Sequence, residues 1–302
     1  MKEPSFAAPA ARLLPILALG LALAPAAAAQ VPGAGSGEAA AAPGGAISAE
    51  SKVDWVSRTL NIDVELDLAA AGIRLPAGRL EAERLVEREL PGLSKPAVFA
   101  IPVDSWRDVG ATASAGELDI NGVVGLAASA RRETAAFSRD MRRFEARYAI
   151  SLDTVAGLYV RGQQAVPLRA PLGYTPSRAY TGIVIYAEGE LPVRGERVAE
   201  RLRPCLFPRI YDEDMVPILE RRNVDPGALA AWGPVGYAAA VGAGSDDRVG
   251  DDPLRVIARA VFGTNRTDIV LSRDDAARIL ALPENRKLVE EGRILVILEL
   301  PD

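Results

Sequence analysis

The clearest pattern along this chain is a strict alternation near its beginning. Leu60, Ile62, Val64, Leu66 and Leu68 fall on one side of an extended segment, and Thr59, Asn61, Asp63, Glu65 and Asp67 on the other, which predicts a strand that covers a core with one face. Gly72 breaks the pattern. Pro76 is placed to open a helix on which Ala82, Leu85, Val86 and Leu90 share a face, and Pro91-Gly92 is expected to stop it. Ala97 to Val103 reads as a second, more buried strand. From Leu126 to Tyr148, the residues Ala130, Thr134, Phe137, Met141, Phe144 and Tyr148 recur at spacings of four and three, an apolar seam that predicts one long helix. Ser151 to Val160 returns as a strand.

Beyond residue 180 the pattern changes to short buried runs. Thr181 to Ala187 (TGIVIYA), Leu206 to Tyr211 and Val235 to Val241 read as strands. Leu254 to Phe262 is apolar-rich, Gly263 to Arg266 forms turns, and Thr267 to Leu271 is a short strand. Ser272 is placed as an N-cap whose capping box Asp275 can complete, Pro283 interrupts the helix that follows, and Asn285 to Glu290 resumes it. The chain closes on a buried run, Ile294 to Leu300. The fold class expected is α+β, with an N-terminal strand-helix-strand-helix-strand module followed by a second, sheet-rich α+β module. The division expected is a leader at 1–29, a Gly/Ala/Pro-rich flexible linker at 30–51, the first module at 52–162, a connector at 163–179 and the second module at 180–302.

The leader changes the picture most. Lys2 and Arg12 precede an apolar run from Leu13 to Ala24, and Ala27-Ala28-Ala29 supplies the small residues of a secretory cleavage site after Ala29. A periplasmic or secreted location follows. No later stretch approaches about 20 uninterrupted apolar residues, so no integral membrane segment is expected once the leader is removed. A net charge of -5 with only 5 % aromatic residues excludes the basic patches and stacking platforms of nucleic-acid binders. The chain has no histidine, which removes Ser-His-Asp and Cys-His catalysis and His-ligated zinc. Its one cysteine, Cys205, sits in an apolar run and reads as a small buried hydrophobe.

Two sets of side chains carry candidate chemistry. Arg132, Arg139 and Arg143 lie on the outer side of the expected long helix, interleaved with Glu133, Asp140 and Glu145; they either meet an anionic surface or a protein partner, or form a solvated face of ion pairs. Asp212, Glu213 and Asp214, together with Asp246, Asp247, Asp251 and Asp252, could gather round a cation, but neither group has the alternate-position register around a glycine that calcium loops use. Asn265-Arg266-Thr267 is a formal glycosylation triplet. No catalytic, cofactor-binding or metal-ligating residue is singled out, and an enzyme is not expected. A contact protein is the first expectation, and a periplasmic small-ligand or cation-binding protein the alternative.

The order TGIVIYAEG, LFPRIYDED, GPVGYA and DDPLRVIARAVFGTNRTDIVLSRDDAARI, ending in RILVILELPD, resembles the C-terminal part of bacterial envelope proteins related to the LPP-twenty lipoproteins and flagellar assembly protein T. Residues 181–302 carry most of the likeness, and Lys52 to Leu90 match more loosely. No cysteine stands near the cleavage point, so the resemblance implies a non-lipidated member without an outer-membrane lipid anchor. It further implies envelope proteins, flagellar basal-body components among them, as partners. The shared motif positions Tyr211, Asp212, Glu213, Asp214, Thr267 and Asp268 read as strand ends and turns.

Overall fold

The computed structural model describes residues 37–41, 45–160, 162, 164–242 and 246–300. The leader and much of the linker lie outside them. The rest of the linker is corrected: β1 (Gly37–Ala41) and β2 (Ile47–Asp54) pair as antiparallel strands, so ordered sheet begins before residue 52. The first module continues with β3 (Thr59–Asp67), α1 (Arg79–Phe99), α2 (Val109–Ser114), α3 (Ile120–Ala128), β4 (Arg131–Phe137), β5 (Arg143–Ser151) and α4 (Leu152–Gly157). Its single antiparallel sheet has the order β1-β2-β3-β5-β4. The alternation in β3 does what it predicts, since Leu60, Ile62, Val64 and Leu66 are all buried opposite Ile150, Tyr148, Ala146 and Phe144 of β5.

Three expectations for this module are overturned. The long helix at 126–148 is instead the end of α3 followed by the β4–β5 hairpin. Phe144 and Tyr148, four apart, satisfy a helical and a strand period equally well, and Ala146 and Ile150 between and beyond them complete the strand's inward face. Met141 sits in the hairpin turn at φ +57, with its side chain exposed. Second, α1 runs through Pro91 and Pro96 to Phe99, so Ala97 to Val103 is helix end and loop rather than strand. Burial of Leu90, Leu93 and Val98 outweighs the two lost backbone donors, and Ser94 Oγ lies 2.8 Å from both Leu90 O and Ala127 O of α3. Third, Ser151 caps α4 by accepting from Asp153 N, so 151–160 turns helical instead of extending β5.

The expected connector is no loose spacer. Val166 N donates to Arg222 O, Leu168 N to a Glu290 carboxylate oxygen and Tyr180 N to Asn285 Oδ1, which fixes this segment along the second module. That module comprises β6 (Ile183–Tyr186), β7 (Glu190–Pro192), β8 (Ala199–Arg201), β9 (Ile210–Tyr211), β10 (Pro217–Leu219), α5 (Pro226–Trp232), β11 (Gly236–Ala238), α6 (Asp246–Val249), β12 (Leu254–Ile257), β13 (Ala260–Phe262), β14 (Asp268–Val270), α7 (Arg273–Ala281), α8 (Pro283–Glu290) and β15 (Ile294–Ile297). A wholly parallel sheet has the order β11-β15-β6-β12, and a mixed sheet the order β10-β9-β14-β13; β7 and β8 form a small hairpin. Ile183, Val184 and Ile185 are buried on both faces of the parallel sheet, as the unbroken apolar run requires. Ser272 accepts from Asp275 N and donates to Asp275 Oδ2, starting α7 as its sequence predicts. Pro283 then opens α8 at its first turn. Among the described residues no helix is long and apolar enough to cross a membrane.

Candidate functional site

The three arginines proposed as one surface are not brought together. Arg132 of β4 points to the helix side of the sheet, opposite Tyr148, where Nη1 lies 3.4 Å from Glu87 and 3.8 Å from Glu83 of α1. Arg139 is exposed in the β4–β5 turn. Arg143 lies on the opposite, open face, 3.3 Å from both carboxylate oxygens of Glu65 on β3. Four residues on, Arg147 makes a bidentate pair with Asp63 at 2.7 and 3.0 Å. Hydrogen bonding to these carboxylates raises the pKa of both arginines. This open face forms a shallow groove of about 510 Å³ bounded by Ser48 and Glu50 of β2 and by Thr134 and Ala136 of β4.

The acidic cluster at Asp212, Glu213 and Asp214 forms the turn between β9 and β10. Asp212 Oδ1 accepts from Asp214 N and Val216 N at 2.9 and 2.8 Å, which closes the turn on its own side chain. Asp214 pairs with Arg273 at the start of α7 at 2.7 Å, and Glu213 accepts from Arg273 N. These carboxylates hold the turn to α7. In the second cluster Asp252 pairs with Arg178, which lowers its pKa. Among the described residues no three acidic or cysteine side chains stand close enough together to hold a metal ion.

A third arrangement was visible in the sequence only as separate turns. The loop after α1 carries Ser105, whose hydroxyl lies 2.8 Å from Thr267 Oγ1 and 3.1 Å from Phe262 O in the second module. Asn265 N and Nδ2 donate to Ser105 O and Asp104 O, so the glycosylation triplet is engaged in this seam and Thr267 is buried. Leu206 N and Phe207 N complete it by donating to Pro102 O and Val103 O. Beside it lies Asp268, 1 % exposed. Its Oδ1 accepts from Arg209 N at 2.9 Å, and burial pushes its carboxyl up to about 6. Cys205, fully buried and with its thiol pushed up by desolvation, has its own N–H and C=O bonded to the Tyr237 hydroxyl. Gly263, at φ +87, leaves the space that Ser105 occupies, for a Cβ there would lie 2.2 Å from Ser105 Cβ. The motif residues Thr267 and Asp268 therefore belong to a buried polar seam that joins the modules. No short-range pattern could have found it, because its halves lie about 160 residues apart.

The fold and this seam define a two-module α+β protein. Residues 46–158 match the model for the N-terminal domain of Treponema pallidum Tp0624, and residues 182–300 match the model for the second domain of the same protein. Each half of the chain is thus similar to one Tp0624 domain, in the same order. No curated protein matches the chain.

Proposed function

We propose that this is an exported protein of the cell envelope that acts through protein–protein contacts, and that the open face of its five-stranded sheet is the contact surface. The observation that carries the proposal is the character of that face: a sheet packed on α1 by one side only, whose other side presents Glu50, Asp63, Glu65, Arg143, Glu145 and Arg147 between small residues. Export is supported by the charged and apolar pattern of residues 1–29 and their Ala-rich ending. The resemblance of the motifs to the LPP-twenty and flagellar assembly families is the ground for an envelope role with flagellar basal-body components among the partners.

N-terminal sequencing of the mature protein should return Gln30 as the first residue, and a chain that keeps Met1 would remove the envelope reading. Proximity cross-linking in intact cells should capture a defined envelope partner. Arg143→Gln combined with Arg147→Gln should abolish that capture while leaving Tm nearly unchanged, because exposed ion pairs contribute only about 0–1 kcal/mol each. Capture that survives both substitutions would move the contact surface elsewhere.

A further inference from the structure

The sheet of the first module ends on β4, a strand paired along one side only, by β5. Its residues Arg131 to Ala136 are exposed and Phe137 is half-buried. Which of its backbone groups are free follows from the ladder beside it. Leu68 N donates to Arg142 O and Leu152 N to Arg58 O at the two ends of the β3–β5 ladder, so the even-numbered residues of β5 bond β3 and the odd-numbered ones face β4. Arg143 O accepts from Ser138 N at 2.9 Å, and Ala136 and Thr134, opposite Glu145 and Arg147, are the next bonded residues of β4. Ala135 and Phe137 therefore turn their N–H and C=O groups outward, and among the described residues no backbone group pairs with them.

An open sheet edge is ordinarily blunted by charge or by a bulge, and the start of β4 has both: Arg131, Arg132 and Glu133 are charged, and the register shifts at Glu133. From Thr134 to Phe137 the edge has neither, and Ala135 and Ala136 are small enough to let another strand come close. A second copy of the chain fits this edge in one register. Antiparallel pairing centred on Ala136 sets Ala135 opposite Phe137 of the other copy twice over, which bonds every outward N–H and C=O group of these residues, and it brings Glu133 opposite the exposed Arg139. Centring on Ala135 would set Arg131 against Arg139, two like charges, and centring on Phe137 would leave Ala135 beside the hairpin turn. We propose that two copies of the chain join β4 to β4 in the register centred on Ala136, making one continuous sheet of their two five-stranded sheets. The pairing uses the edge and leaves the open face uncovered, so it is independent of the contacts proposed there.

Sedimentation equilibrium of the mature chain is the test. The average mass should rise from one chain to two between micromolar and submillimolar concentrations, and less steeply at high salt, which screens the pair of Glu133 with Arg139. Ala135→Pro removes one outward N–H and no bond to β5, and should weaken association by about tenfold or more. Arg139→Glu should weaken it by about fivefold, and Glu133→Lys in the same chain should restore it. A Tm close to that of the wild type shows that each variant is folded; should Ala135→Pro not fold, the charge exchange decides. A wild-type chain that stays single at every concentration overturns the proposal and leaves the edge to an extended strand of another protein. A dimer indifferent to the proline and to the charge exchange overturns it as well, by moving the interface to another face.

Discussion

Asp268 is a carboxyl group held where its ionised form is disfavoured. Its folded pKa, pushed up to about 6, lies above the ordinary 3.8, so the folded state binds the extra proton between those values. Well below the ordinary 3.8 the group is protonated in both states and costs nothing; as pH rises from there to about 6 the unfolded state gains and stability falls, and above that the loss is complete. Relative to Asp268→Asn, the wild type should therefore lose about 2 kcal/mol between pH 4 and pH 7.5, on the scale of about 1.36 kcal/mol per pKa unit. Denaturant titrations of both proteins at the two pH values check this, and a difference that does not change with pH would show the carboxyl to be solvated. Gly263 in the same seam has no room for a side chain and a backbone that resists one. Gly263→Ala should cost about 2–5 kcal/mol, the sum of left-handed strain and overpacking against Ser105, read from the shift in the denaturant midpoint. The sequence marks Gly263 as a turn residue, but nothing local says that Ser105 will occupy the space beside it.

The individual elements were legible to very different degrees. β3 and α7 could be read because one period or one cap decided each of them: unbroken alternation in the first, Ser272 with Asp275 in the second. The β4–β5 hairpin has the look of a helix because its large apolar residues fit a helical period, while its strand character lies in Ala146 and in pairing with β3, more than seventy residues away. The correction separates two substitutions that a single helical seam would make equivalent. Phe144 is buried in the core, and Phe144→Ala should cost roughly 3–5 kcal/mol. Phe137 is half-buried at the end of edge strand β4, with its ring 4.9 Å from that of Phe144. Phe137→Ala should cost clearly less. Equal losses in thermal melts of the two variants would argue for the helix. The prolines of α1 mislead in the opposite sense: local propensity stops the helix at Pro91, and the buried residues beyond it carry it on to Phe99.

For the whole molecule, the α+β class and the two modules could be read from the change of pattern near residue 180, whereas the seam between modules could not. The seam at Ser105 joins residues from distant parts of the chain through backbone carbonyls, one side-chain amide and single hydroxyls, groups with no local signature. The two modules should therefore melt as one unit rather than in two steps. Val296, buried in the middle of β15, offers the check: Val296→Asp places a charge between β11 and β6 and should cost about 4 kcal/mol or more. If the modules are coupled, it should lower the melting of both together, followed by near-ultraviolet circular dichroism of the aromatic residues. A first module that keeps its own unchanged transition would separate them.

The place of β6 has a consequence in time. It is the first strand of its sheet to be made, yet its neighbours are β12 and β15, the latter some 110 residues later. At about 5–20 residues per second, the ribosome leaves both edges of this wholly apolar strand without a partner for many seconds, roughly 5–20 in the case of β15. Until then Ile183 to Tyr186 is an open template for any other extended chain. A chain built this way relies on being held unfolded until its last strand exists, and an occupied chaperone or a stalled ribosome would tell against it sooner than a lost contact in the finished protein.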